Sequence, residues 1–162
     1  WGLANGYKYL IEMDADLSHR VRDLSNLIRA SLEYDADLVI GSRWIQGGKI
    51  ENWSKKRELL SRMANRYVRL MLGIDINDFT SGFRIYKYEL FERLDLSLIK
   101  SEGYSFQIEM TRAAKLAGAK IVEVPIIFRE RESGVSKMSG AIVREAMLLV
   151  TVWGLKRFLR LK

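Results

Sequence analysis

LIEMDADLSHR, Leu10 to Arg20, is the stretch on which the reading of this chain turns. Tyr7, Tyr9, Ile11 and Met13 alternate with Lys8, Leu10 and Glu12, the period of a strand, and that strand is expected to end at Asp14. Ser18 follows as a candidate cap for a helix through about Glu33, whose apolar positions Val21, Leu24, Leu27, Ile28 and Leu32 keep helical spacing. DLVIGSR, Asp37 to Arg43, reads as a short buried strand and a turn. This β, α, β order predicts an α/β fold with a mainly parallel sheet and a crossover helix.

Ligands of open α/β sheets bind beyond the carboxyl ends of the strands, where Asp14 and Asp16 are expected. Residues i and i+2 of extended chain point the same way, roughly 7 Å apart. Two like charges so placed repel, and one magnesium or manganese ion with the diphosphate it holds would offset the repulsion. The alternative is a solvated turn or a helix cap. Ser18 is either a third ligand or the helix cap, and His19 is expected beside the site or at the surface rather than as a base.

Farther along, a glycine-bearing loop, Gln46 to Trp53, leads into a long helix, Ser54 to Leu72, with an expected core face of Leu59, Leu60, Met63, Tyr67 and Leu70 or Met71. GIDINDFTSGFR reads as a loop. Shorter helices are expected near Lys87 to Leu94 and Tyr104 to Ala117, then a strand, Lys120 to Phe128, whose Pro125 marks an edge or a bulge. Arg129 to Gly140 is charged and rich in small residues, and is expected to act as a mobile lid. From Ala141 a last helix carries AMLLVTVWGL and a basic end, Lys156, Arg157, Arg160 and Lys162. It is too short for a span of roughly 20 apolar residues, and is either an amphipathic helix at the membrane interface or an ordinary packing helix.

The 162 residues, 48% of them hydrophobic with one proline, suffice for one globular core. With no cysteine and one histidine, any metal must use oxygen ligands. The net charge of +7 calls for an anionic partner: nucleic acid, a phosphorylated substrate or a membrane surface. No nucleic-acid recognition motif occurs, so no nucleic-acid partner is expected. Trp1 opens the sequence with no initiator methionine and no leader pattern, and the chain is expected to be a fragment.

Basic residues mark where a phosphate would sit. Arg43 follows its strand at the aspartate end and either pairs bidentately with a phosphate or bridges to a neighbouring acid. Arg57 and Ser61 share a helix face. Arg131 and Lys137 lie on the lid. Asp78, Thr80, Ser81 and Gly82 form a polar loop able to reach the cleft, and Gln107 and Glu109 share a helix, where Glu109 meets either a sugar hydroxyl or a structural partner.

In order, MDADLSH, DLVIGSRW, GGKIENWSKKRELLSRMAN, DFTSGFRIYK, SEGYSFQIEM, IVEVPIIF and ESGVSKMSG resemble the polyprenol (dolichol) phosphate mannose synthases of glycosyltransferase family 2, over nearly all of the chain up to about residue 145. The resemblance implies a glycosyltransferase A-type fold (that of nucleotide-diphospho-sugar transferases). It also implies inverting transfer of mannose from GDP-mannose to a polyprenyl phosphate with Mg2+ or Mn2+, at the cytoplasmic face of a membrane. By it, Asp14, Asp16 and Ser18 would serve the metal, although some relatives carry glutamine at the Ser18 position. Asp14, Ala15, Asp16, Gln107, Glu109, Arg131 and Lys137 would serve the donor, and Arg43, Arg57, Ser61 and Arg131 the acceptor phosphate. Asp16, Arg43 and Arg131 would be catalytic. Family members begin with a strand, a PxYNE-like turn and a DDGS-like turn that hold the nucleotide base, and neither turn occurs here. Residues 1–140 are therefore expected to be the C-terminal two-thirds of the catalytic domain, lacking its N-terminal strands and binding donor poorly alone, with 141–162 the amphipathic helix. A polyprenyl phosphate glucosyltransferase and a basic nucleic-acid-binding module are the competing expectations.

Overall fold

The centre of the sheet is β2 (Leu38–Ser42), whose five residues are all buried. The computed structural model describes residues 2–130 and 140–159. β2 pairs in parallel with β5 (Ile121–Pro125) and antiparallel with β4 (Arg84–Lys87), and β4 pairs antiparallel with β1 (Tyr9–Glu12). The order β1-β4-β2-β5 makes a mixed sheet in which β1, β2 and β5 run the same way and β4 runs against them. The expected mainly parallel pairing is corrected accordingly. β1 and β2 keep the direction that a crossover helix dictates, but a strand missed in the sequence lies between them. A second sheet pairs β3 (Lys49–Glu51) with β6 (Ile127–Arg129) in parallel. The segment expected as one strand, Lys120 to Phe128, is thus two strands in two sheets, with Pro125 ending β5 at an edge where its missing N–H costs no ladder bond.

Alternation along the strands divides the core in two. Leu38, Ile40 and Tyr86 face α2 (Lys55–Leu72), α4 (Gly103–Leu116) and α5 (Gly140–Phe158) through Val68, Leu72, Ile108, Ala114, Ala146 and Val150. Val39, Ile85 and Val124 face α1 (Val21–Glu33) through Leu27 and Ala30. The short α3 (Tyr88–Glu92) continues directly from β4. α5 is therefore part of the core, joined to α2 by Tyr67 Oη and Thr151 Oγ1 at 2.8 Å.

Three helix readings change. α1 starts at Val21 after Arg20, with no side-chain cap, and Ser18 instead gives its N–H to Asp16 Oδ1 at 3.1 Å. The inner face of α1 is Leu27, Ala30 and Asp23, and Asp23 Oδ2 accepts the N–H of Ile127; Val21, Ile28 and Leu32 are exposed. α2 begins at the cap Ser54 but buries Asn65, Val68 and Leu72, leaving Leu59, Leu60, Met63 and Leu70 in the open. Periodicity finds an apolar stripe without saying which side of the helix the core lies on.

Candidate active site

Because β1 and β2 run parallel, Asp14 just past β1 and Arg43 just past β2 emerge at one end of the sheet. β4 enters from that same end, bringing residues 77–83 between them. This loop is anchored three ways. Glu123 on β5 accepts the N–H groups of Asn77 and Asp78, each at 2.9 Å. Asn65 on α2 accepts the N–H of Phe79 at 2.7 Å. Arg84, with none of its surface exposed, donates to the carbonyls of Phe79 and Ser81 at 2.8 and 2.7 Å, and to Gln107 O and Thr111 Oγ1.

So held, Asp78 grips Arg43. Its Oδ2 accepts from Arg43 Nε at 2.7 Å and from the Arg43 N–H at 3.0 Å, and its Oδ1 accepts from Nη2 at 2.7 Å. Arg43 Nη2 also reaches Thr80 Oγ1 at 2.9 Å. Burial alone would push the Asp78 carboxyl up, but the charge and hydrogen bonds of Arg43, then the charge of Arg84, outweigh it and hold it below the usual carboxylate range. Burial likewise opposes the charge on Arg43, and Asp78, with smaller effects of Tyr104 and Asp14, more than restores it. Asp78 is thus ion-paired with Arg43 and kept charged by the nearby Arg84, which fixes the Arg43 guanidinium beneath the cleft. Gly48 closes the turn over Arg43: a Cβ there would lie 2.7 Å from the Ser42 carbonyl oxygen.

Above this floor is a small chamber of about 40 Å³ lined by Asp14, His19, Arg43, Trp53, Arg57, Ser81, Tyr104, Phe128 and Glu130, among others. Arg57 lies 4.0 Å over the Trp53 ring and pairs through Nη1 with Glu130. Arg43, Trp53, Arg57, Thr80 and Tyr104 also line a second cavity, of about 360 Å³, between α2 and α5. Its other walls are mostly apolar, among them Leu60, Met63, Val68, Ile108, Met147 and Val150. A polar chamber and an apolar groove with a common wall suit a ligand that has an anionic head and a hydrocarbon chain. The Nε1 of Trp53 is buried without a partner among the described residues.

The expected site residues fall into three groups. Asp14, Arg43 and Arg57 meet at the chamber, and Ser61 lines the groove beside them. Ala15 and Asp16 do not line the chamber; Asp16 accepts the Ser18 N–H, and Ala15 is exposed. Ser18 is buried, does not line the chamber, and its Oγ has no hydrogen-bond partner among the described residues. Gln107 donates through Nε2 to Glu12, inside the fold. Glu109 is corrected as a sugar contact, since its Oε2 accepts the N–H groups of Lys100 and Ser101 at 3.2 and 3.0 Å. Arg131, Lys137 and the rest of the expected lid between Glu130 and Gly140 lie outside the described residues, while Arg129 ends β6 and Gly140 begins α5. Trp53, Tyr104, Phe128 and Glu130 were not anticipated. The one available signal was Trp53, an aromatic residue just before the cap of α2.

Among the described residues no group of three or more His, Cys, Asp or Glu side chains is arranged to hold a metal. The side chain of Asp14 is 62% exposed, and His19 Nε2 lies 3.5 Å from its Oδ2, outside hydrogen-bonding geometry. An open carboxylate of this kind suits Mg2+ or Mn2+, which take one or two carboxylates and complete their shell with substrate phosphates and water.

The family description "Glycosyl transferase family 2" matches residues 3–95. The chain belongs to this family. It is 51% identical over 156 residues to a polyprenol monophosphomannose synthase of Mycolicibacterium smegmatis, covering 96% of this chain and 58% of the relative. It is 50% identical over 155 residues to an undecaprenyl-phosphate mannosyltransferase of Micrococcus luteus, covering 96% of this chain and 63% of the relative. The chain thus spans about six-tenths of these curated relatives. Among solved structures it resembles glucosyl-3-phosphoglycerate synthase of Mycobacterium tuberculosis, in complex with phosphoglyceric acid (TM-score 0.61, 18% identity, 94% of this chain and 52% of the other) and with Mn2+, UDP-glucose and phosphoglyceric acid (TM-score 0.59, 19% identity, the same coverage). That likeness bears out the glycosyltransferase A-type fold.

Proposed function

We propose that the protein carrying this chain transfers mannose from GDP-mannose to a polyprenyl phosphate, working as a peripheral enzyme at the cytoplasmic face of a membrane. The observation that carries this reading is the common wall of the polar, arginine-bearing chamber and the apolar groove, formed by Arg43, Trp53, Arg57, Thr80 and Tyr104. The names of the two half-identical relatives support mannose as the sugar and a polyprenyl phosphate as the acceptor. Among the described residues no helix is long and apolar enough to cross a membrane, in keeping with attachment at its surface.

A phosphate monoester has a second pKa of about 6, so the acceptor is largely dianionic at neutral pH and its oxygen is already nucleophilic. No general base is needed, which suits a site whose one histidine is packed between Phe83 and Phe128. The acceptor phosphate would enter beside Arg43 and displace Glu130 from Arg57, so that two guanidiniums overcome its repulsion with the donor diphosphate. Asp78 and Thr80 hold Arg43 in its rotamer, and the Trp53 ring supports Arg57. A Mg2+ or Mn2+ ion held by Asp14 and Asp16 would supply charge neutralisation at the departing diphosphate. Ser61, Leu60, Met63 and Met147 would receive the first isoprene units.

Incubation with GDP-mannose or UDP-glucose, undecaprenyl phosphate and Mg2+ or Mn2+, read by mass spectrometry of the lipid, tests the proposal. A mannosyl phosphate lipid formed from GDP-mannose is expected. Transfer from UDP-glucose alone, or transfer to water with no lipid product, would overturn it.

A further inference from the structure

On the flank of α2 away from the acceptor groove lies a wide cavity of about 800 Å³, lined by Trp44, Arg62, Arg66, Arg69, Leu70 and Arg157, among others. Arg62, Arg66 and Arg69 follow at intervals of four and three residues, so they form one row along the helix. Leu59 and Leu70, eleven residues or about three helical turns apart, form the neighbouring row, which faces outward; Leu70 is 68% exposed. An apolar row that faces away from the core, edged by arginines, is the pattern of a helix lying in a bilayer interface.

The charges in the cavity are unequally matched. Arg62 pairs with Glu58, and Arg69 pairs with Asp75. Arg66 and Arg157 have no ion pair among the described residues; Arg157 reaches the carbonyls of Leu70 and Met71 and lies 5.2 Å from the Phe158 ring. Arg62 lies 4.3 Å over the ring of Trp44, whose Nε1 is buried without a partner among the described residues. Unmatched cations beside an exposed leucine favour an anion that is attached to hydrocarbon.

We infer that this arginine cavity is a second anion site, distinct from the acceptor chamber, which takes the phosphodiester headgroup of an anionic membrane phospholipid and sets α2 flat on the bilayer. Leu59 and Leu70 then enter the acyl boundary. The groove between α2 and α5 opens on the other flank of the same helix, so an acceptor moving in the membrane plane arrives at its mouth. The inference deepens the reading of a lipid acceptor and rests on it for its purpose. The binding test contains no donor and no acceptor, so its failure would leave the transfer reading standing.

Sedimentation of the purified chain with phosphatidylcholine vesicles, with and without phosphatidylglycerol, is the test. An arginine near an anionic surface contributes about 1 kcal/mol, so Arg66→Ala should weaken binding to the anionic vesicles about fivefold and Arg66→Glu about 25-fold. Arg29→Glu changes the charge equally on exposed α1, across the sheet, and should leave binding nearly unchanged. Leu70→Gln should weaken it several-fold, with far-ultraviolet circular dichroism and melting temperature unaltered in every variant. Equal losses for Arg29→Glu and Arg66→Glu would reduce the effect to net charge and overturn the site. It would also fall if inorganic phosphate displaced the chain from vesicles better than sodium chloride of matched ionic strength, which would mean a soluble anion site. An Arg66-dependent affinity for a single-stranded oligonucleotide exceeding that for vesicles, or a solution dimer dissociated by Leu70→Gln, would overturn it as well.

Discussion

Asp78→Asn keeps the shape of the side chain and removes its charge, at the point where the fold and the chamber depend on each other. Two charge-assisted hydrogen bonds, from Arg43 Nε and Nη2 at 2.7 Å each, become weak or repulsive because the amide can accept through only one atom. At about 1.5–3 kcal/mol each, the loss is about 3–6 kcal/mol, in line with about 3–5 kcal/mol for stranding one member of a buried pair. For a chain of this size that lowers the melting temperature by about 10 °C. The effect has a pH signature. The Asp78 carboxyl is held below its ordinary value, so its stabilising contribution is complete above about pH 4 and disappears as pH falls through the depressed folded-state value. Urea unfolding of both proteins should therefore show a large gap at neutral pH that narrows in strong acid, where protonated Asp78 resembles Asn. A gap below about 1 kcal/mol at neutral pH, or one that does not change with pH, would refute the assignment of Asp78 as the counter-charge of Arg43.

Three further outcomes are expected. Asp16→Asn in the protein carrying this chain should nearly abolish mannosyl transfer while leaving the circular dichroism spectrum unchanged, and near-normal turnover with magnesium would count against a role for that carboxylate. Glu130→Gln should strengthen binding of undecaprenyl phosphate about two- to fivefold, because a half-exposed pair holding Arg57 is released; a weaker or unaltered Kd would show that Glu130 does not compete with the acceptor. Asn65→Leu leaves the N–H of Phe79 unpaired in the core and should cost about 1–3 kcal/mol in urea denaturation, with no change there if the loop anchor is dispensable.

The two strands that carry Asp14 and Arg43 were legible because each is a short apolar run with a period of its own, and the direction of the crossover put both at one sheet end. β4 was not legible. Its four residues, RIYK, run straight into α3 with no turn between strand and helix, and in the sequence Arg84 reads as part of the preceding loop and Lys87 as part of the following helix. The split of Lys120 to Phe128 into β5 and β6 was marked only by Pro125; that Ile126, buried between them, ends one ladder and precedes another is fixed by partners far away in the chain. Glu109 and Ser18 illustrate the same limit at the level of side chains, since what each touches is decided by loops at 100–101 and 127–129.

For the site, residue type identified the chemistry but not the engagement. Arg43 was open to two readings, a phosphate ligand or a partner of a nearby acid, and the second is realised by Asp78, which by itself would seem to remove Arg43 from anion binding. Arg43 nonetheless lines the chamber. Arg84 is just as buried and has only carbonyls and a hydroxyl as hydrogen-bond partners, so Asp78 forms its ion pair with Arg43 alone while the charge of Arg84 helps keep Asp78 ionised beneath the chamber. The same logic extends to the outward stripes of α2 and α5. Leu148, Val152 and Leu155 repeat at helical spacing on the exposed side of α5, as Leu59 and Leu70 do on α2, and two helices packed on each other with apolar rows turned outward flank the groove that ends at Arg43 and Arg57. On the proposed reading, an enzyme that draws its acceptor from a bilayer needs a hydrocarbon path continuous from membrane to guanidinium, and these outward rows beside the groove would supply it.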